Sequence, residues 1–264
     1  MNQTGLPSSR QSTPSSSRLA RWLRGALLTV GWVAIWAISS AAVVQDYALE
    51  RSEMVHTIVL RAQELGPVLP GKDIDPKVLE ALRLVPRHEF VPAALRADSY
   101  ADRPLPIGYG QTISQPLIVA LMTHLLQPGR SSVMLEVGTG SGYQAAVLAP
   151  LVRQVHSIEI IPALAESAAN RVSRLGYANV SVQQGDGYYG LPQAAPFDGI
   201  IVTAAAGHIP PPLLQQLKPG GRMVIPVGPP LGQQHLTVVE RDSEGRVRTR
   251  RVMLVRFVPL TGQQ

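Results

Sequence analysis

From Ser132 onward, short apolar runs alternate with amphipathic ones, and this alternation restricts the fold more than any other feature of the chain. Val133–Val137, Val155–Ile158, Val180–Gln183, Gly199–Thr203 and Met223–Val227 read as strands. Between them Tyr143–Leu151, Ala163–Leu175 and Pro212–Leu217 read as helices, the last closed by a turn at Lys218-Pro219-Gly220-Gly221. Strands separated by helices predict a doubly wound, mostly parallel α/β sheet of the Rossmann-like kind, with ligands at the carboxyl ends of its strands. Leu236–Glu240 and Val247–Val258 add two further strands around a turn at Asp242–Gly245.

Upstream of the sheet, Asp46–Leu65 reads as a helix with Met54 inside it, and Asp75-Pro76 opens a second helix through Leu84. Gly66–Asp73 has the outline GxxxxGK of a phosphate loop. It lacks the Ser or Thr that would hold magnesium, and two prolines remove amide donors, so it reads as a plain loop. A stretch punctuated by Pro and Gly runs to Gly110, and a helix is expected over about Gln115–Leu126, with Ser114 suited to its N-cap.

Residues 2–18 are rich in Ser, Thr, Gln, Pro and Gly and read as a disordered tail. Arg18, Arg21 and Arg24 then lead into Gly25–Val44, which carries no charge. Twenty helical residues span roughly the 30 Å hydrocarbon core of a bilayer. The segment therefore predicts a transmembrane anchor, or a signal peptide cut near Ala42. Arginines before it and Asp46, Glu50 and Glu53 after it predict the main domain outside.

The net charge of +6 invites a nucleic-acid reading. Five arginines against Asp46 and Glu50 place +3 in residues 1–52, leaving only +3 for the other 212 residues. A body so near balance is not expected to bind nucleic acid. The chain has no cysteine, which excludes disulfides, thiolate metal sites and cysteine nucleophiles. Its six histidines have no partner histidine at helical spacing, and no metal site is expected. Arg246, Arg248, Arg250 and Arg251 are expected on the solvent face of an antiparallel strand.

The first strand runs into Glu136-Val137-Gly138-Thr139-Gly140-Ser141-Gly142-Tyr143. Three alternating glycines let the backbone turn tightly and approach a ligand at the next helix. The dinucleotide pattern GxGxxG needs glycine where Tyr143 stands. The spacing acidic-x-G-x-G-x-G instead resembles motif I of the methyltransferases that use S-adenosyl-L-methionine (AdoMet). Glu159 ends the second strand, where a carboxylate can accept ribose hydroxyls, and Asp186 follows the third, where it can accept from an adenine amino group. Each alone could be a turn residue; all three at consecutive strand ends point to a cofactor.

GQTISQP (110–116), LEVGTGSGYQAAVLA (135–149), GDG (185–187), FDGIIVTAAA (197–206), LKPGGRMVIPVG (217–228) and VRFVPL (255–260) together resemble the protein-L-isoaspartate O-methyltransferase family, in order from about Met54 to Leu260. The resemblance implies methyl transfer from AdoMet to the α-carboxylate of L-isoaspartyl and D-aspartyl residues in damaged proteins or peptides. The ester then closes to a succinimide that partly returns aspartate. It implies Ser114 as the catalytic position, with Thr112 and Ile113 shaping its loop. Around AdoMet it places Glu136, Gly138, Thr139, Gly140, Ser141, Gly142, Glu159 and Asp186. The organisation that follows is a basic tail (1–24), a membrane or signal segment (25–44), a helical substrate-side region (45–131) and an AdoMet-binding core (132–264). A monomer is expected, tethered to the membrane through Gly25–Val44 if that segment is not cleaved.

Three features depart from the family. Ile160 stands where a basic residue is usual, Ala206-Gly207-His208-Ile209-Pro210 replaces the common Ala-Pro-Glu-Ile-Pro, and the residues before Met54 are additional. Because AdoMet is made in the cytoplasm, the catalytic domain is expected there despite the charge bias. The alternatives are a periplasmic or exported domain, or translation from Met54. A membrane-tethered AdoMet-binding protein, or a methyltransferase with another acceptor, is the competing function.

Overall fold

The computed structural model describes residues 46–66, 69, 73–229 and 232–262. The basic tail, the Gly25–Val44 segment and most of the 66–73 loop lie outside the described residues. Among the described residues no helix is long and apolar enough to cross a membrane.

Three helices and a hairpin precede the sheet: α1 (Ala48–Glu64), α2 (Pro76–Leu84), β1 (Leu105–Gly108), β2 (Gln111–Ile113) and α3 (Pro116–Leu126). The N-terminus of α2 forms as its sequence suggests. Asp75 Oδ1 accepts from the Lys77 amide at 2.8 Å, and Pro76 occupies the first turn, where its missing N–H costs nothing. In contrast, α3 is apolar on nearly every side and almost wholly buried. Its N-cap position is Gln115, not Ser114, and no side chain of its own segment caps it. Asp102 caps it from outside, Oδ1 accepting from the Leu117 amide at 2.9 Å.

The sheet follows as β3 (Val133–Val137), α4 (Tyr143–Leu148), β4 (Gln154–Glu159), α5 (Pro162–Arg174), β5 (Val180–Gln184), β6 (Phe197–Val202), α6 (Pro211–Gln216), β7 (Leu217–Val227), β8 (Gln234–Arg241) and β9 (Val247–Val255). Its order is β5-β4-β3-β6-β7-β8-β9, parallel from β5 to β7 and antiparallel for the last two pairs. Alternate side chains feed two cores. Met134, Ile201 and Val224 join a core with α1 to α4, while Leu135, Val137, Ile200, Val202, Met223 and Ile225 join another with Leu213 of α6. Burial on both faces is why these strands read as continuous apolar runs. Chain order reverses between β3 and β6, which is where an open α/β sheet opens a crevice for ligands.

Three further expectations need correction. The Lys218–Gly221 turn is strand, because β7 begins at Leu217, opposite Phe197, and absorbs a register irregularity before Gly199 pairs with Arg222. The β1–β2 hairpin lies in the stretch read as irregular. Its Gly108-Tyr109-Gly110 corner has positive φ at all three residues, and its strands are too short to show alternation. The arginines of β9 do not mark one solvent face: residues 247–251 are exposed on both faces at the sheet edge.

Candidate active site

The glycine loop crosses the carboxyl ends of β3, β4 and β6. Gly138, Gly140 and Gly142 have φ of 93°, 53° and 88°, conformations that strain any residue with a Cβ. At Gly138 space is also short, since a Cβ would stand 2.6 Å from Thr203 Oγ1 at the end of β6. The Gly138 amide donates to Ile158 O at 2.8 Å, and the Thr203 hydroxyl donates to Val137 O at 3.1 Å. Arg171 of α5 donates to Ser141 O at 2.9 Å.

Glu159 ends β4 with 5% exposure. Its Oε2 accepts from the Gly140 amide at 2.8 Å and its Oε1 from the Ile161 amide at 3.0 Å, so it also fixes the loop. Glu136 lies fully buried among the loop residues. Its Oε2 accepts from the Ser157 hydroxyl, which lies 2.5 Å from the Thr139 hydroxyl, while Oε1 has no hydrogen-bond partner. Burial pushes the Glu136 carboxyl up to about 8; the Ser157 hydrogen bond opposes that shift and the nearby Glu159 reinforces it.

Thr112 and Ile113 end β2, and Ser114 follows in the short loop that joins it to α3. Ile113 anchors it at 4% exposure, Thr112 is exposed and Ser114 is half-buried. Two groups hold it from behind. Arg87 is completely buried; Nε donates to Ser99 O at 2.7 Å and Nη2 to Ser114 O at 2.8 Å. The Arg87 guanidinium carbon also lies 4.7 Å from the centroid of the Tyr143 ring. Burial lowers the Arg87 pKa from its ordinary value. Asp102 Oδ2 accepts from Gln115 Nε2 and Arg61 Nη1, both at 2.9 Å, beside the contact of Oδ1 with α3.

The Ser114 and glycine loops meet in one cavity. Thr112, Ile113 and Ser114 line it together with Glu136, Gly138, Thr139, Gly140, Ser141 and Thr203. A neighbouring cavity runs from Thr112 and Gly140 past Glu159 to Gly187 and the C-terminal Val258–Thr261. There Ala205 donates to Val258 O and Leu260 to Ala205 O, each at 2.8 Å, so two of the sequence motifs are directly bonded. Asp186 Oδ1 accepts from the Tyr188 amide at 2.9 Å, and Gly262 passes so close that a Cβ there would overlap the Asp186 carboxylate. On the other side a groove is lined by Thr112, Ser114 and Gln115 and by Met253–Val258. Among the described residues no cluster suited to a metal ion occurs.

Thr203 shows in the sequence as the polar end of an apolar strand, and Ser157 as a hydroxyl inside a buried one. Arg87, Asp102 and Arg171 show no local sequence signal, because the groups they meet are distant in the chain.

The cradle fits AdoMet. Glycine is required where the loop crosses β6, a carboxylate closes β4, and the buried Glu136 oxygen without a partner lies beside the cavity. A mostly parallel sheet with this loop after β3 defines a Rossmann-like, AdoMet-dependent methyltransferase. The chain belongs, more narrowly, to the protein-L-isoaspartate(D-aspartate) O-methyltransferase family, whose sequence profile matches residues 70–264. It is 58% identical over 245 residues to protein-L-isoaspartate O-methyltransferase 2 of Syntrophobacter fumaroxidans, covering 92% of this chain and 99% of that one. It is 53% identical over 216 residues to protein-L-isoaspartate O-methyltransferase 1 of Cupriavidus necator, covering 82% and 83%. A solved protein-L-isoaspartate O-methyltransferase superposes with a TM-score of 0.68 at 28% identity, covering 79% of this chain and 66% of that one.

Proposed function

We infer that the chain is a protein-repair enzyme that methylates the α-carboxylate of L-isoaspartyl and D-aspartyl residues. The observation that carries this reading is the shared cavity, where the Ser114 loop and the glycine loop face one space. AdoMet supplies a methyl group activated on a sulfonium sulfur. The acceptor is a carboxylate, nucleophilic at neutral pH without a general base, so alignment and exclusion of water carry the rate. The Ser114 hydroxyl donates to that carboxylate and holds it toward the cavity, on a loop anchored by Ile113 and bordered by Thr112. Gly138, Thr139, Gly140, Ser141 and Gly142 supply the close backbone, and Glu159 and Asp186 the acceptors for the nucleoside. Glu136 supports the loop from below. Residues 45–131 then serve the substrate and residues 132–264 the cofactor. The test is to incubate the full chain with AdoMet and an isoaspartyl peptide and follow the appearance of aspartyl peptide by chromatography. Conversion is expected; none over many turnover times would refute the repair reading.

Gly25–Val44 is proposed to tether the chain to the membrane, with the catalytic domain on the cytoplasmic side where AdoMet is available. Its length and lack of charge support the tether. A C-terminal reporter active only outside the membrane would refute this sidedness. The catalytic body is proposed to be monomeric, because Arg248, Arg250 and Arg251 stand exposed on the edge strand β9, where charge opposes edge-to-edge pairing. Sedimentation in detergent at the mass of a dimer would refute that.

A further inference from the structure

We propose that Arg87 is a positioning residue for methyl transfer, acting through Ser114 by locking its loop against the helix that follows the glycine loop. This rests on the functional reading above. Arg87 is the largest fully buried side chain among the described residues, and its contacts come from three separate segments. Ser99 O fixes the root of the guanidinium, Ser114 O takes one terminal nitrogen, and the ring of Tyr143 lies under the plane carbon. Tyr143 is the first residue of α4, directly after Gly142. One rigid planar group therefore spans the substrate loop and the cofactor loop, the two parts whose relative placement decides whether oxygen, methyl and sulfur align.

A lysine cannot do the same work. It offers a point charge on a flexible stem, whereas guanidinium presents fixed donors and a flat face for the ring. The restraint on Ser114 is doubled one residue later, where Asp102 holds the Gln115 side chain and the Leu117 amide. A buried arginine used only for stability would be an expensive choice, since an ion in the interior loses its hydration.

The test is a double-mutant cycle on kcat with Arg87→Lys, Ser114→Ala and both, using the full chain, with AdoMet affinity by calorimetry and melting temperature measured alongside. If Arg87 acts through Ser114, Arg87→Lys lowers kcat by about tenfold to hundredfold when Ser114 is present, the scale of a misplacement near 1 Å. With Ser114→Ala the same change costs less than about twofold. AdoMet affinity stays within about threefold, and hydrogen exchange quickens at residues 111–117 more than elsewhere. Equal losses in both backgrounds, or a lowered melting temperature with unchanged kcat, overturn the proposal. Should Arg87→Lys not fold, Tyr143→Leu removes the ring and leaves both hydrogen bonds. Coupling of that variant to Ser114→Ala supports the proposal and additivity overturns it. An inactive wild-type chain would refute the repair function, and the exchange measurement would still decide whether Arg87 holds the loop.

Discussion

At Gly138 two constraints coincide, a positive φ and a neighbouring hydroxyl that leaves no room for a methyl group. Strain of about 1–3 kcal/mol is expected for a residue forced into such a conformation. Gly138→Ala should therefore weaken AdoMet binding about tenfold or more, since 1.4 kcal/mol is a factor of ten; calorimetric affinity equal to wild type would contradict the close fit. Glu136 gives a second prediction, with a sign. Its carboxyl ionises near 4.5 in the unfolded chain and is pushed up to about 8 in the fold. Between those values the folded chain keeps a proton that the unfolded chain has released, so stability falls as pH rises through that window. At about 1.4 kcal/mol per pKa unit the loss amounts to several kcal/mol. Urea unfolding at pH 5 and pH 8 should show it, and Glu136→Gln should flatten it. A slope unchanged in that variant would place the titration elsewhere.

The helices differ in how far their own sequence explains them. Asp75-Pro76 announces the start of α2 because cap and first turn are adjacent in sequence. The start of α3 is set by Asp102, fifteen residues from the amide it accepts, and no local pattern can display that. Asp102→Ala should lower stability by about 1–2 kcal/mol through the lost cap, read as a shifted urea midpoint. Leu121, fully buried in α3, should cost about 2–5 kcal/mol as alanine. If Asp102→Ala leaves the midpoint unchanged, α3 does not depend on its borrowed cap. β3 and β6 were legible because burial on both faces makes them almost continuously apolar. β1 and β2 were not, because their pairing turns on positive-φ residues at the corner rather than on a repeating pattern. At the site, the Ser114 and glycine loops announced themselves as motifs. Their supports, Arg87, Asp102, Arg171 and Ser157, came into view only with the distant carbonyls, amides and hydroxyls that they meet.

Over the whole molecule, Tyr47–Gln264 forms one compact unit. Its first helix begins at Ala48, ahead of Met54, and Tyr47 stacks on the His88 ring with centroids 4.3 Å apart. Removing residues 1–45 should leave the melting temperature within a few degrees of the full chain. Removing residues 1–53 deletes the stacked ring and the first turn of α1 and should lower it by roughly 5 °C or more, on a scale of 2–4 °C per kcal/mol for a body of this size. Equal melting temperatures for the two truncations would show that α1 gains nothing from its first turn. The two ends of this body do different work. Val258–Leu260 packs beside the carboxyl end of β6 and borders the cavity, so the chain's last segment completes the cofactor side of the site.

The most direct test of the whole account is transfer of labelled methyl from AdoMet to an isoaspartyl peptide and to its aspartyl twin, by the full chain and by Ser114→Ala. Label is expected on the isoaspartyl peptide alone, lowered about tenfold or more in Ser114→Ala while AdoMet affinity is kept. Equal labelling of the two peptides, or a Ser114→Ala chain as fast as wild type, would contradict it.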